Sequence, residues 1–155
     1  PTVKGDNLLG ETYHLPVDFD GEINLVLVAY RRYQQTAVNT WLTAAKKLDR
    51  EFLGFEYYEL PVIHRGYKVM RFIIDNGMRR GIPSSEARRR TITIFDKGSF
   101  NRQLRVTRTD RIRALLVDGK GNIRWSTTGV ATPSALASLR QAVQQALGKR
   151  WSKSG

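Results

Sequence analysis

Ile23-Asn24-Leu25-Val26-Leu27-Val28-Ala29-Tyr30 is an almost unbroken apolar run of strand length, with β-branched residues at Ile23, Val26 and Val28. A strand with one wet face alternates apolar and polar residues, whereas a run without alternation belongs to a strand covered on both faces. Helices must then flank the sheet that contains it. One is expected directly downstream, at about Gln34–Phe52, where Val38, Trp41, Leu42, Ala45, Leu48 and Phe52 recur at helical spacing. Lys46, Lys47 and Arg50 fall outside that stripe, and Gly54 ends it. Upstream, Glu11–Pro16 reads as a short extended stretch leading into the turn-rich Asp18-Phe19-Asp20-Gly21.

Working toward the C-terminus, Phe55–Ile63 is a second expected strand, with Pro61 demoting its far end from regular pairing. Tyr67–Arg80 is an expected helix closed by Gly81-Ile82-Pro83. Thr91–Phe95 is the next strand, followed by a basic connection, Lys97–Asp110, holding a short helix near Ser99–Leu104. Ile112–Val117 and Asn122–Ser126 form a hairpin around Asp118-Gly119-Lys120-Gly121. The last helix has the clearest limits: Thr132 as N-cap, Pro133 at the first helical position, and Gly148 just past the end. The pattern predicts an α/β architecture, a mixed sheet with helices on both faces, a late hairpin and a C-terminal helix. With 155 residues, 41% of them hydrophobic, the expectation is one domain over residues 1–155. No apolar run is long enough to span a bilayer.

The residues leave little room for catalysis. The chain has no cysteine, which removes disulfides, thiolate nucleophiles and cysteine-based metal sites. Its two histidines, His14 and His64, stand in no nucleophile–base motif and make a poor metal inventory. Glu56 and Glu59 are three apart in an expected strand and so point to opposite faces. Asp118-Gly119-Lys120-Gly121-Asn122 lacks the spacing of a phosphate loop and joins two strands, so it reads as a turn. No metal and no cofactor are expected.

Charge is the more informative quantity. The formal net charge is +12, yet the segment through Leu60 has 6 basic and 9 acidic side chains while the remainder has 20 and 5. Eighteen of the cations are arginine, suited to bidentate pairing with carboxylates and phosphates. Arg79, Arg80, Arg88, Arg89, Arg90, Arg102 and Arg105 are the candidate anion- or partner-binding residues, with Tyr67, Phe72 and Phe100 as nearby aromatic rings. An acidic protein, a membrane-associated complex or nucleic acid would each suit such a surface, and a solvated face that keeps the protein soluble is the plain alternative. The first residue is Pro1 and not methionine. A removed leader would imply a periplasmic or membrane-associated setting, and the compartment is otherwise left open.

Leu15-Pro16, Asp20-Gly21, the apolar strand and the helix after it together resemble the opening of the thioredoxin-like fold, in its peroxiredoxin-like and thiol-disulfide branches. The later hairpin and terminal helix extend the likeness over most of the chain. In redox members the likeness implies a reactive cysteine where the strand meets the helix, its thiol acidified by the helix N-terminus. Counting from Ala29-Tyr30, that window holds Gln34-Gln35-Thr36-Ala37. The resemblance also implies a cis-proline before the late strand, where this chain has Arg108-Thr109-Asp110-Arg111-Ile112. Both parts of the thiol site are missing, so the expected role is a non-catalytic binding scaffold. A narrower likeness is to the mitochondrial ATP synthase assembly chaperones known as ATPase assembly factor ten and their bacterial relatives. It rests on Leu9-Gly10, Tyr13-x-Leu15-Pro16, Met78-Arg79-Arg80-Gly81-Ile82-Pro83 and Leu116-Val117-Asp118-x-x-Gly121-x-Ile123-Arg124-Trp125-x-x-x-Gly129. It implies assistance in assembling a membrane complex.

Overall fold

The computed structural model describes residues 2–62, 85–95, 97–106 and 108–148. The expected helix Tyr67–Arg80 and its Gly-Ile-Pro stop lie outside the described residues, as do His64, Tyr67, Phe72, Arg79 and Arg80. Strand β3, Ile23–Ala29, is buried through Val28 and sits at the centre of a four-stranded sheet. Its neighbours are β4, Phe55–Pro61, parallel to it, and β6, Arg113–Asp118, antiparallel. β7, Ile123–Thr128, pairs antiparallel with β6 and forms the sheet's edge.

Alternation along β3 explains the apolar run. Ile23, Leu25 and Leu27 pack with Val38, Trp41, Ala45 and Leu48 of helix α1, Gln35–Glu51, and with Leu139, Val143 and Leu147 of the C-terminal helix, α4, Pro133–Leu147. Val26 and Val28 face the other way, against Leu15, Phe19, Tyr58, Leu60, Ile92, Ile94, Phe100 and Leu115. A strand that contributes to two cores has no face left for polar residues. Asn24 is the exception, and it is satisfied: its amide donates to the carbonyls of Gly21 and Val117 and its oxygen accepts from Gly21 N.

The second face is roofed by a three-stranded sheet ordered β2-β1-β5, made of Thr12–Leu15, Val3–Asn7 and Ile92–Ile94, and by the helix α3, Lys97–Leu104, through Phe100 and Leu104. Parallel bridges Glu59–Thr91 and Val62–Ile94 join this sheet to β4. The expected mixed sheet with helices on both faces is therefore present, divided into two linked parts. Two elements were not expected from the sequence. β1 contains Gly5, Asp6 and Asn7, all poor strand formers, and exists because it pairs with β2 on one side and β5 on the other. The other is the helix α2, Ser85–Arg90, which follows the segment outside the described residues.

The hairpin and the last helix match the sequence reading. Asp118 Oδ1 accepts from Lys120 N and Asn122 N, and Gly121 adopts φ +89°, so the glycine-rich segment is a turn. Burial opposes ionisation of Asp118, yet these hydrogen bonds outweigh it and hold the carboxyl below its usual range. Thr132 Oγ1 caps α4 by accepting from Ala135 N, and Gly148 ends it at φ +63°.

Candidate functional site

The junction between β3 and α1 is where the likeness to redox proteins places their chemistry. The chain leaves β3, makes a single 3-10 turn at Arg32–Gln34, and enters α1 at Gln35. Gln34 occupies the N-cap position without capping the helix. Its side chain instead turns inward and is 3% exposed. Oε1 accepts from Tyr30 N at 2.8 Å and Arg31 N at 3.2 Å, while Nε2 donates to the Thr109 carbonyl at 2.9 Å.

One amide group thus ties the end of the central strand to the segment that leads into β6. Thr109 belongs to the stretch in which a thioredoxin would carry its cis-proline; among the described residues the cis peptide bond is at Leu15–Pro16. The buried Gln34 side chain bridges those two segments. Gln35 and Thr36 are exposed, and Ala37 packs against the α1 core. Gln35 Nε2 donates to Asn39 Oδ1 and to Glu59 Oε1 at 3.0 Å. Burial raises the Glu59 carboxyl above its usual pKa range, opposed by the Gln35 hydrogen bond and by Lys46. Beside the junction, Tyr33 is 67% exposed.

The candidate arginines separate into two groups. Arg90 is 4% exposed and turned into the protein, paired with Glu56 at 2.7 Å, Glu86 at 2.7 Å and Asp49 at 3.7 Å. It also donates to the Tyr57 carbonyl and lies over the Tyr57 ring. Arg89 bridges Asp20 and Glu86, and Arg88 is half-buried. Arg89 therefore ties α2 to the turn before β3, and Arg90 ties it to β4 and α1. Arg102 and Arg105 are exposed, on the last turn of α3 and just after it, and no ion pair to either is found among the described residues. Arg108, farther along, pairs with Asp110 at 2.8 Å. Phe100, a candidate stacking ring, is buried in the second core, which removes it from any surface role.

Sequence reasoning missed the inward role of Arg90. The signal was present: Glu86 stands three and four positions before Arg89 and Arg90, the spacing of helical ion pairs. Among the described residues no group of three or more His, Asp or Glu is placed to hold a metal ion, and no helix is long and apolar enough to cross a membrane.

No protein-family model matches the chain, and no curated protein matches it. Solved structures do. The pneumococcal exposed lipoprotein thioredoxin Etrx1 of Streptococcus pneumoniae aligns over 93% of this chain and 99% of its own, with a TM-score of 0.60 at 15% identity. A putative thiol:disulfide interchange protein DsbE of Chlorobium tepidum gives 0.57 at 19% identity, over 96% of this chain and 94% of its own. A putative electron transport protein of Aquifex aeolicus gives 0.67 at 13% identity, over 95% and 94%. At such identities the likeness concerns the backbone alone, and what it establishes is that this cysteine-free chain has the thioredoxin-like fold.

Proposed function

We propose that the protein is a non-catalytic thioredoxin-like binding or assembly protein that recognises an acidic protein partner. The observation that carries this reading is Gln34. In a chain without cysteine, the junction that would carry a thiol is occupied by a buried amide hydrogen-bonded on both sides. Such an arrangement favours a rigid scaffold over a reactive group. The charge excess after Leu60 and the exposed Arg102 and Arg105 support an acidic partner. The likeness to ATP synthase assembly chaperones adds a finer reading, in which the partner belongs to a membrane complex.

The test measures binding of the full chain to an acidic Glu/Asp-rich peptide, to anionic vesicles and to a generic DNA duplex across a salt series. The expected result is strongest binding to the peptide, reduced severalfold in an Arg102→Gln/Arg105→Gln variant. Peptide affinity that is unchanged by the two substitutions would remove this surface as the contact. Tightest binding to the duplex, weakening steeply with salt, would replace the reading with nucleic-acid binding.

A further inference from the structure

Tyr30 and Arg113 lie at the same end of the sheet as the Gln34 junction. Arg113 stands opposite Val28 in the β3–β6 register, so its side chain shares the face of Val28 and Leu115, and Tyr30 packs against that same core. Tyr30 follows Val28 by two residues and is thus the diagonal neighbour of Arg113 across the two strands, within reach of a long side chain and an aromatic one. The Tyr30 hydroxyl and Arg113 Nε are buried, in side chains that are themselves half-buried. Among the described residues neither the Tyr30 hydroxyl nor Arg113 Nε has a hydrogen-bond partner, and no carboxylate forms an ion pair with Arg113.

Buried polar groups are nearly always paired, since an unpaired one costs about 1–3 kcal/mol and more when charged. Two such groups side by side, both able to donate and one carrying a full positive charge, call for an acceptor with negative charge. The phenol remains protonated over the working pH range, because burial raises its pKa to about 12 against the lowering effect of Arg113. It is therefore a donor, as the guanidinium is.

We propose that Tyr30 and Arg113 form a binding site for a small oxyanion, a carboxylate or a phosphate, whose oxygens accept from the Tyr30 hydroxyl and the Arg113 guanidinium. A planar fork beside a hydroxyl matches two oxygens of one anion. This site is separate from the Arg102–Arg105 surface and uses neither of its residues.

The experiment follows thermal unfolding of the full chain in acetate, in phosphate and in chloride at constant ionic strength. A specific anion gives a saturable binding curve, and above its Kd each tenfold rise in concentration adds roughly 3–5 °C to Tm. Acetate acting alone identifies a carboxylate site, and phosphate acting alone a phosphate site. The expected result is a concentration-dependent rise with at least one of them in the wild type and in Arg102→Gln/Arg105→Gln. That dependence is lost in Arg113→Met and weakened about tenfold in Tyr30→Phe. Nitrogen-15 NMR of the Arg113 Nε–H in the wild type provides a reading that needs no variant, a saturable shift of that resonance. Water alone at the site would give no saturable shift with either oxyanion and would overturn the proposal. So would equal anion dependence in Arg113→Met and wild type.

Discussion

Replacing Gln34 with alanine removes an amide that makes three hydrogen bonds and leaves the amides of Tyr30 and Arg31 and the carbonyl of Thr109 without that partner. A net contribution of about 1 kcal/mol per hydrogen bond sets the upper part of the range. Water entering the vacated space recovers some of it, so the expected loss is about 2–3 kcal/mol. For a chain of this size that corresponds to roughly 4–12 °C in Tm. Urea unfolding measures it as a lower midpoint at unchanged slope, and hydrogen exchange should rise at Tyr30 and Arg31. Gln34→Glu sharpens the test. Its carboxylate still accepts from the two backbone amides, yet it sets a second acceptor against the Thr109 carbonyl, and only the protonated acid can donate there. Burial and that opposed carbonyl raise its folded-state pKa above an unfolded value of about 4.3. The folded state then holds more protons, so the variant lies nearest to wild type at about pH 4 and loses stability as pH rises. A loss under about 0.5 kcal/mol for Gln34→Ala, with unchanged exchange at both amides, would refute the reasoning that Gln34 closes the junction.

Glu59 has a folded-state pKa raised by burial, so its contribution is most favourable at low pH and declines as pH rises through the ordinary carboxylate pKa toward the folded one. Glu59→Gln should therefore gain stability relative to wild type between pH 4 and pH 7, read from urea midpoints; a constant difference would count against a raised pKa. Arg90→Met leaves Glu56, Glu86 and Asp49 without the buried guanidinium they share, and the expected cost is about 3–5 kcal/mol. Adding Glu56→Gln should recover part of that loss, whereas additive losses would mean the pair is uncoupled. Gly121 holds φ +89°, and a Cβ there would stand 2.9 Å from Pro16 Cγ. Gly121→Ala should cost about 1–3 kcal/mol by thermal unfolding, against nearly none for Gly119→Ala, which meets open space.

How far each feature could be read depended on whether its cause was local. Helix α4 was legible to the residue because a threonine cap, a proline start and a glycine stop act within the helix itself. The hairpin was legible for the same reason, since Asp118 builds its turn from residues two and four positions away. β1 was not, because Lys4-Gly5-Asp6 has no strand preference of its own and gains strand form from β2 and β5. Gly5 illustrates the cause: a Cβ at that position would lie 2.7 Å from Ile92 Cγ2, in a residue 87 positions away in the chain. At the candidate site, counting along the chain located Gln34 at the junction, but nothing in its neighbours pointed to Thr109.

The sequence by itself determined that the central strand is covered on both faces, that a helix follows it, and that no thiol stands at their junction. Those conclusions rest on periodicity and composition, which the chain carries locally. Tertiary structure decided what became of the polar residues. The three arginines Arg88, Arg89 and Arg90 look alike in sequence, yet Arg90 is drawn inward by carboxylates of α1 and β4 while Arg102 and Arg105 stay in water. Gln34 likewise became a clasp because the fold brings the Thr109 carbonyl to it across 75 residues. A side chain's charge and hydrogen-bonding capacity are properties of the residue, whereas its partners are set by which distant segments the packed sheet brings within about 3 Å of it.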